Sequence, residues 1–286
     1  MKVIGIGDNV VDYYQDRDEI YPGGNALNIA VLCKRYGVEK SSYIGVIGND
    51  LAANHIVNSL VAEDVDISRI RKAYGPNGES VISLNEDNDR TFVGSNNGGV
   101  QALIKLNFDE TDLNYISTHD LMHTSLYSHI EQDLPMLSDK IAISFDFSFR
   151  HEEAYLKKVC PYVDYGFFSG SELNETECIE LMHYVKSLGT KVIGITRGEK
   201  GALFLVDEQV YKQPIVEAKV IDTLGAGDSF ISMFLTHYHQ HGNVNEALNQ
   251  SAIAAAKNCE SYGAFGYGLS KRQISPKSWY DLLEYL

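Results

Sequence analysis

Cysteine is scarce and badly spaced for any framework. Cys33, Cys160, Cys178 and Cys259 are the four in the chain, and none forms a C-x-x-C pair. That spacing excludes a zinc knuckle and a disulfide scaffold, and leaves reduced, mostly buried thiols as the expectation. No apolar run approaches the roughly 20 residues needed to span a bilayer. The opening MKVIGIGDNVVDYY enters a strand-like run at once, with no basic segment ahead of an apolar one. A secretory signal and a membrane partner are therefore not expected, and a soluble cytoplasmic protein is. Positive charge is also short: 24 Lys and Arg stand against 39 Asp and Glu, a formal charge of −15. An acidic surface repels polyphosphate backbones and excludes nucleic acid as a natural partner. A single nucleotide is not excluded, because one phosphate site is set locally by backbone amides. There are six prolines and no Pro/Gly/Ser-rich linker, repeat or low-complexity tract. One domain over 1–286 is expected.

What is present is an alternation of short β-branched runs and helical patterns. Val3–Ile6, Ser42–Ile47, Asp120–His123, Ile141–Phe145, Tyr165–Phe168, Val192–Thr196 and Ala202–Val206 read as strands. Asn25–Tyr36, Leu51–Glu63, Gln132–Leu137, Ala154–Val159 and Glu177–Ser187 read as helices, and helices dominate from Gly227 to Ser261. This predicts an α/β fold with a mostly parallel sheet covered on both faces. Ser80–Val93 breaks the pattern, with two strand-like pieces around a polar D-N-D turn. A hairpin there predicts a small antiparallel lid, with strands from about 10–20 and 79–100.

Three segments carry chemistry. In IDTLGAGDSF, Gly225-Ala226-Gly227 allows close backbone approach just before a helix. Unpaired amides at a helix start attract an anion, and Asp228 in the first turn would sit beside it as a proton acceptor. The plain alternative is a glycine turn with a capping Asp. In YPGGNALNIA, Asn25 and Asn28 offer donors and acceptors that suit sugar hydroxyls; an Asn-rich helix start is the alternative. Thr196-Arg-Gly-Glu-Lys-Gly201 follows a buried strand, where Gly198 and Gly201 would let backbone approach a nucleotide, or simply make a hairpin turn. His237-Tyr-His-Gln-His241 looks like a metal cluster, but only His237 and His241 share a helical face, so an exposed helix end is expected.

The segment DTLGAGD resembles the C-terminal signature of the PfkB/ribokinase family, and GGNALNIA resembles its N-terminal signature. They stand about 200 residues apart in the family's order. The resemblance implies a ribokinase-like fold and ATP- and Mg²⁺-dependent phosphoryl transfer to a sugar hydroxyl. It implies Asp228 as base and the amides of Gly225, Ala226 and Gly227 as anion hole. Asp8, Asn9 and Asp12 of GDNVVD, with Gly24, Asn25 and Asn28, would hold the sugar. Thr196, Gly198, Gly201 and Asn258 would hold the nucleotide. For the metal, Asn174-Glu-Thr-Glu177 matches the family's N-x-x-E by letter, but counting from Asp164 lands on Ser169-Gly-Ser-Glu172. Glu172 is preferred and Glu177 is the alternative. Asp222 would neighbour a monovalent cation such as K⁺, and members often pair as homodimers through the lid.

The finer resemblance is to bacterial fructoselysine 6-kinases, carried by GDNVVD, NEDNDRTFVG and HTSLYSH. It makes fructoselysine the expected acceptor, phosphorylated at its 6-hydroxyl. Arg90 would take the substrate carboxylate, and His129 would face the substrate or stand on the surface. The rivals are another PfkB kinase acting on fructose, 2-keto-3-deoxygluconate or a nucleoside, and a catalytically silent sugar-binding homologue. A dehydrogenase is weak, because GIGDNV lacks the full G-x-G-x-x-G.

Overall fold

The computed structural model describes residues 1–84 and 90–274. In chain order the strands are β1 Lys2–Ile6, β2 Val10–Tyr14, β3 Glu19–Gly23, β4 Lys40–Ile44, β5 Val46–Ile47, β6 Arg71–Lys72, β7 Glu79–Leu84, β8 Arg90–Ser95, β9 Leu121–Ser125, β10 Ala142–Ser148, β11 Tyr165–Ser169, β12 Val192–Thr196, β13 Ala202–Val206, β14 Gln209–Gln213 and β15 Leu269–Ser270. The helices are α1 Asn25–Arg35, α2 Leu51–Ala62, α3 Gly99–Leu103, α4 Glu110–Ile116, α5 Leu134–Ser138, α6 Glu153–Val159, α7 Glu175–Ser187, α8 Ala226–His241, α9 Val244–Asn258 and α10 Lys271–Ile274.

Eight strands form the main sheet in the order β14-β13-β12-β11-β10-β9-β1-β4. From β4 to β12 every pairing is parallel; β13 and β14 add an antiparallel edge. Successive residues of these strands point to opposite faces, and both faces are covered. Ile4, Met122, Phe168 and Ile193 pack on one face with Leu134, Leu156 and Met182 of α5, α6 and α7. Val3, Leu121, Phe167 and Val192 pack on the other with Ile29, Phe230, Phe234 and Leu248 of α1, α8 and α9.

A second sheet runs β15-β3-β2-β7-β8. The pair β7/β8 is the predicted hairpin, with a register shift at Val81/Ile82; its D-N-D turn lies outside the described residues. Two expectations need correction. The second lid segment does not run as strand to 100: β8 ends at Ser95, and Gly98, in the left-handed region at φ 83°, caps α3. On the other side of the second sheet, β3 stays paired with β2 up to Gly23. The fold is therefore a parallel α/β layer with a mixed, not purely antiparallel, smaller sheet, since β2 and β7 run parallel.

Candidate active site

Two helix starts converge at one end of the main sheet. Gly24 precedes α1 at φ 107°, and a Cβ there would lie 2.6 Å from Asn9 Cα, so only glycine lets the two loops touch. The opening amides of α1 then find a charged acceptor: Asn25 N–H donates to Asp8 Oδ2 at 2.5 Å and Ala26 N–H to Asp8 Oδ1 at 3.2 Å. The hydroxyls of Ser125 and Ser128 donate to the same Oδ1, both at 2.9 Å. A carboxylate at a helix N-terminus satisfies its amides and complements its dipole. Asp8 is thus engaged in holding α1, whereas the motif led us to expect it on the substrate. Asn9 is also turned inward: its Nδ2 donates to Tyr43 Oη at 3.0 Å and to the Val46 carbonyl at 2.9 Å.

With α1 fixed, its two asparagines reach α8. Asn28 Nδ2 donates to Asp228 Oδ2 at 2.7 Å. Asn25 Nδ2 donates to Asp228 Oδ1 at 2.8 Å and to Asp146 Oδ2, at the end of β10, at 2.9 Å. Both protons of the Asn25 amide are thereby used, so its oxygen can only accept. His123 Nε2, 2.8 Å away, must be the donor, and His123 Nδ1 accepts from Ser144 Oγ at 2.8 Å. Burial pushes the His123 pKa down to about 3, so the ring is neutral and of one tautomer. Asp146 is pushed the other way, to about 7, by burial first and then by the neighbouring charges of Asp228 and Asp8. His123, Ser125, Ser128 and Asp146 carried no role in the sequence reading. A lone carboxylate closing the apolar strand run Ile141–Phe145 was the available signal for Asp146.

Two cavities meet at the start of α8. The smaller, about 210 Å³, is lined by Asp146, Ser148, Gly225, Gly227 and Asp228 among others. The larger, about 980 Å³, lies between the β12–β13 turn, the segment 213–220 and α9. Ser169, Thr196 and Gly227 line both. Thr196, Gly198 and Gly201 all line the larger cavity, and Ala252, Ala255 and Ala256 make its α9 wall, a slot of small side chains. Among the described residues, neither lining contains a lysine or arginine. Gly225 is held at φ 77°, and a Cβ there would meet Ala264 Cα at 2.5 Å. Of the three amides expected to bind an anion, Ala226 N–H already makes a 3.3 Å bond to Thr223 O. Gly227, which lines both cavities, has open space where its Cβ would be.

The remaining candidates are dispersed. Asp12 is buried in β2, its Oδ2 lying where a Cβ on Gly23 would be. Asn258 does not line the larger cavity; its amide donates to the Leu224 carbonyl at 2.9 Å. Glu172 is exposed and lines neither cavity. Asn174 and Glu177 form a reciprocal capping box at the start of α7. His129 is exposed, with φ 55°. The side chain of Arg90 lies outside the described residues. Asp222 is fully buried and hydrogen-bonded to Tyr14, Leu224 and Gly263. His237 and His241 rings lie 4.4 Å apart, yet no group of three or more His, Cys, Asp or Glu suited to a metal occurs among the described residues.

The sequence profile of the pfkB family of carbohydrate kinases matches residues 1–269. The chain belongs to that family. It is a carbohydrate kinase, a phosphotransferase with an alcohol acceptor, and use of ATP and Mg²⁺ is general to such kinases. The fructosamine kinase FrlD of Bacillus subtilis (strain 168) is 55% identical over 272 residues, 95% of each chain. The fructoselysine 6-kinase of Escherichia coli (strain K12) is 32% identical over 262 residues, 91% of this chain and 98% of the other. Among solved structures, ribokinase from Giardia lamblia superposes with a TM-score of 0.81 at 15% identity, covering 100% of this chain and 99% of that one, which shows the shared ribokinase-like fold.

Proposed function

We propose that the chain transfers the γ-phosphate of ATP to a fructosamine-type sugar, at the 6-hydroxyl of fructoselysine. The observation that carries this reading is the placement of Asp228. Its carboxylate stands in the small cavity, at a helix start, where a roomy slot of backbone and alanine opens on the other side. High identity to a fructosamine kinase over 95% of the chain supports the acceptor class.

In this reading Asp228 takes the proton of the acceptor hydroxyl as it attacks. Asn25 and Asn28 hold both carboxylate oxygens, which fixes the aim of the base before substrate arrives. The Gly225–Gly227 turn and the α8 dipole stabilise charge on the transferring phosphoryl group. Thr196, Gly198 and Gly201 bound the nucleotide, with the adenine in the Ala252–Ala256 slot. Mg²⁺ bound there would neutralise phosphate charge. The oxygen-rich wall of Asp146, Ser148 and Ser169 suits a hard cation better than exposed Glu172 does. Asp12 contacts the sugar from the lid side, and Arg90 and His129 remain candidates for the amino-acid moiety.

Among the described residues no helix is long and apolar enough to cross a membrane; a cytoplasmic location, where ATP is supplied, belongs to the same proposal. So does a homodimer through the second sheet. Edge strand β8 exposes Phe92 and Val93, at 59% and 53%, and an apolar open edge invites pairing. Light scattering should give twice the monomer mass for the native chain and a monomer for Val93→Lys; a monomeric native chain rejects the dimer.

The acceptor is tested by ADP release from MgATP with fructoselysine, other fructosamines, fructose, ribose, 2-keto-3-deoxygluconate and adenosine. We expect kcat/KM for fructoselysine to exceed that for fructose by about 100-fold or more. Preference for a plain sugar or nucleoside rejects the fructosamine reading and keeps the kinase.

A further inference from the structure

Asp222 lies three positions before the Gly225–Gly227 turn and has no solvent exposure. Its Oδ1 accepts from the Leu224 amide at 2.9 Å, and its Oδ2 from the Gly263 amide at 2.9 Å. The Tyr14 hydroxyl donates to Oδ2 as well. Tyr14 belongs to β2, so one carboxylate ties the phosphate-facing turn, the segment after α9 and the second sheet together. Gly263 lies one residue from Ala264, the residue against which Gly225 closes.

The surroundings are rings and methyl groups. Tyr14 packs with Tyr21, Ile82 and Leu224, with Tyr262 against them. Its ring meets those of Tyr21 and Tyr262 edge-on, at 5.1 and 6.0 Å. Burial and the Asp222 charge both push the Tyr14 phenol up, so it stays a donor throughout the working range.

A monovalent cation beside Asp222 was the expectation from family resemblance, and these residues do not fit one. Such an ion needs several oxygen lone pairs aimed at one point. Much of the oxygen that the local turns offer is already committed: Asp222 Oδ2 and Cys259 O each accept two hydrogen bonds, which uses both lone pairs. Thr223 O accepts from Ala226 N–H at 3.3 Å, and Leu224 O from Asn258 Nδ2 at 2.9 Å. Cys259 O accepts from the Ile221 and Asp222 amides at 2.7 and 3.1 Å, and Asn258 O from Ser261 N–H at 3.3 Å. Three donors face the carboxylate from protein alone.

We propose that the Tyr14–Asp222 hydrogen bond takes the place of a monovalent cation in this enzyme. Tyr14 is then a positioning residue. It satisfies Asp222 Oδ2 from the second sheet and so holds the phosphate-facing turn in register, and turnover does not require K⁺. The activity arm of the test rests on the kinase reading; the stability arm needs no substrate, so the two fail separately.

The test exchanges the whole chain into choline chloride and compares it with KCl at equal ionic strength. We expect ADP release to agree within about twofold and the melting temperature of the ligand-free protein within about 1 °C, as a protein without a K⁺ site gains nothing from K⁺ by mass action. Activation of fivefold or more by K⁺, or a K⁺-specific rise of several degrees in melting temperature, overturns the proposal. Tyr14→Phe, which keeps the ring packing, should lower kcat about tenfold or more while KM for the acceptor moves less than about threefold. An unchanged kcat in a folded Tyr14→Phe protein also overturns it. Should that variant fail to fold, the salt comparison on the native chain still decides.

Discussion

At the end proposed for the acceptor, charged and amide side chains are crowded, buried or half-buried, and tied to one another. At the end proposed for the nucleotide the wall is a glycine turn, the alanines of α9 and the apolar side chains of Ile215, Val216, Val220 and Phe230, with Glu199 and Glu217 its charged members. The first region has its side-chain geometry prepared: Asp8 fixes α1, α1 aims Asn25 and Asn28, and these aim Asp228. The second offers room and amides, which suit a ligand that brings its own charge. Discrimination among sugars should therefore reside in side chains, and nucleotide binding in the shape of the chain. Substitutions should sort accordingly.

Asp228→Ala strikes the prepared end hardest. Loss of a positioned base should lower kcat by about 10³-fold or more, with ATP affinity by calorimetry within about threefold. A variant that lost nucleotide binding instead would erase the division between the two ends.

Asn25→Ala comes next. It removes the two N–H groups that separate the Asp146 and Asp228 carboxylates and leaves His123 without its acceptor. A coupled assay should show kcat about 100-fold lower, because the base loses its aim.

Gly225→Ala tests the turn between the ends. A side chain at φ 77°, meeting backbone at 2.5 Å, should cost about 2–3 kcal/mol in urea denaturation.

Asp146→Asn gives a pH signature. The folded carboxyl titrates near 7, above its ordinary 3.8. The native state therefore holds the proton more tightly than the unfolded chain, and this group's contribution to stability falls as pH rises from about 4 to about 7. The Asn variant should lose that slope, gaining on the native protein between urea titrations at pH 5 and pH 8.

Gly198→Ala should do least. Its φ is 56° but no atom lies within 4 Å of an added Cβ. About 1 kcal/mol of stability and a small rise in KM for ATP are expected.

Much of this was legible in residue order. The alternation of buried strands and amphipathic helices gave the parallel layer because each strand's neighbours in space follow chain order closely. GGNALN and GAGD were readable because a helix start preceded by glycine is a local event. What stayed hidden depends on distant pairing. Nothing local tells that Asp8 caps a helix beginning 17 residues later, that Tyr14 meets Asp222 across 208 positions, or that His123 sets the tautomer serving Asn25. The N-x-x-E letters have a local reading as well, since Asn174 and Glu177 form a capping box and a capping box produces the same letters.

The most direct test of the central claim is the position of the new phosphate. Fructoselysine and MgATP are incubated with the native chain and the product is examined by ³¹P–¹H correlation spectroscopy. Coupling of phosphorus to the two C6 protons of the sugar is the predicted result. Phosphate on another hydroxyl, or ATP hydrolysis with no sugar phosphate, would contradict the account.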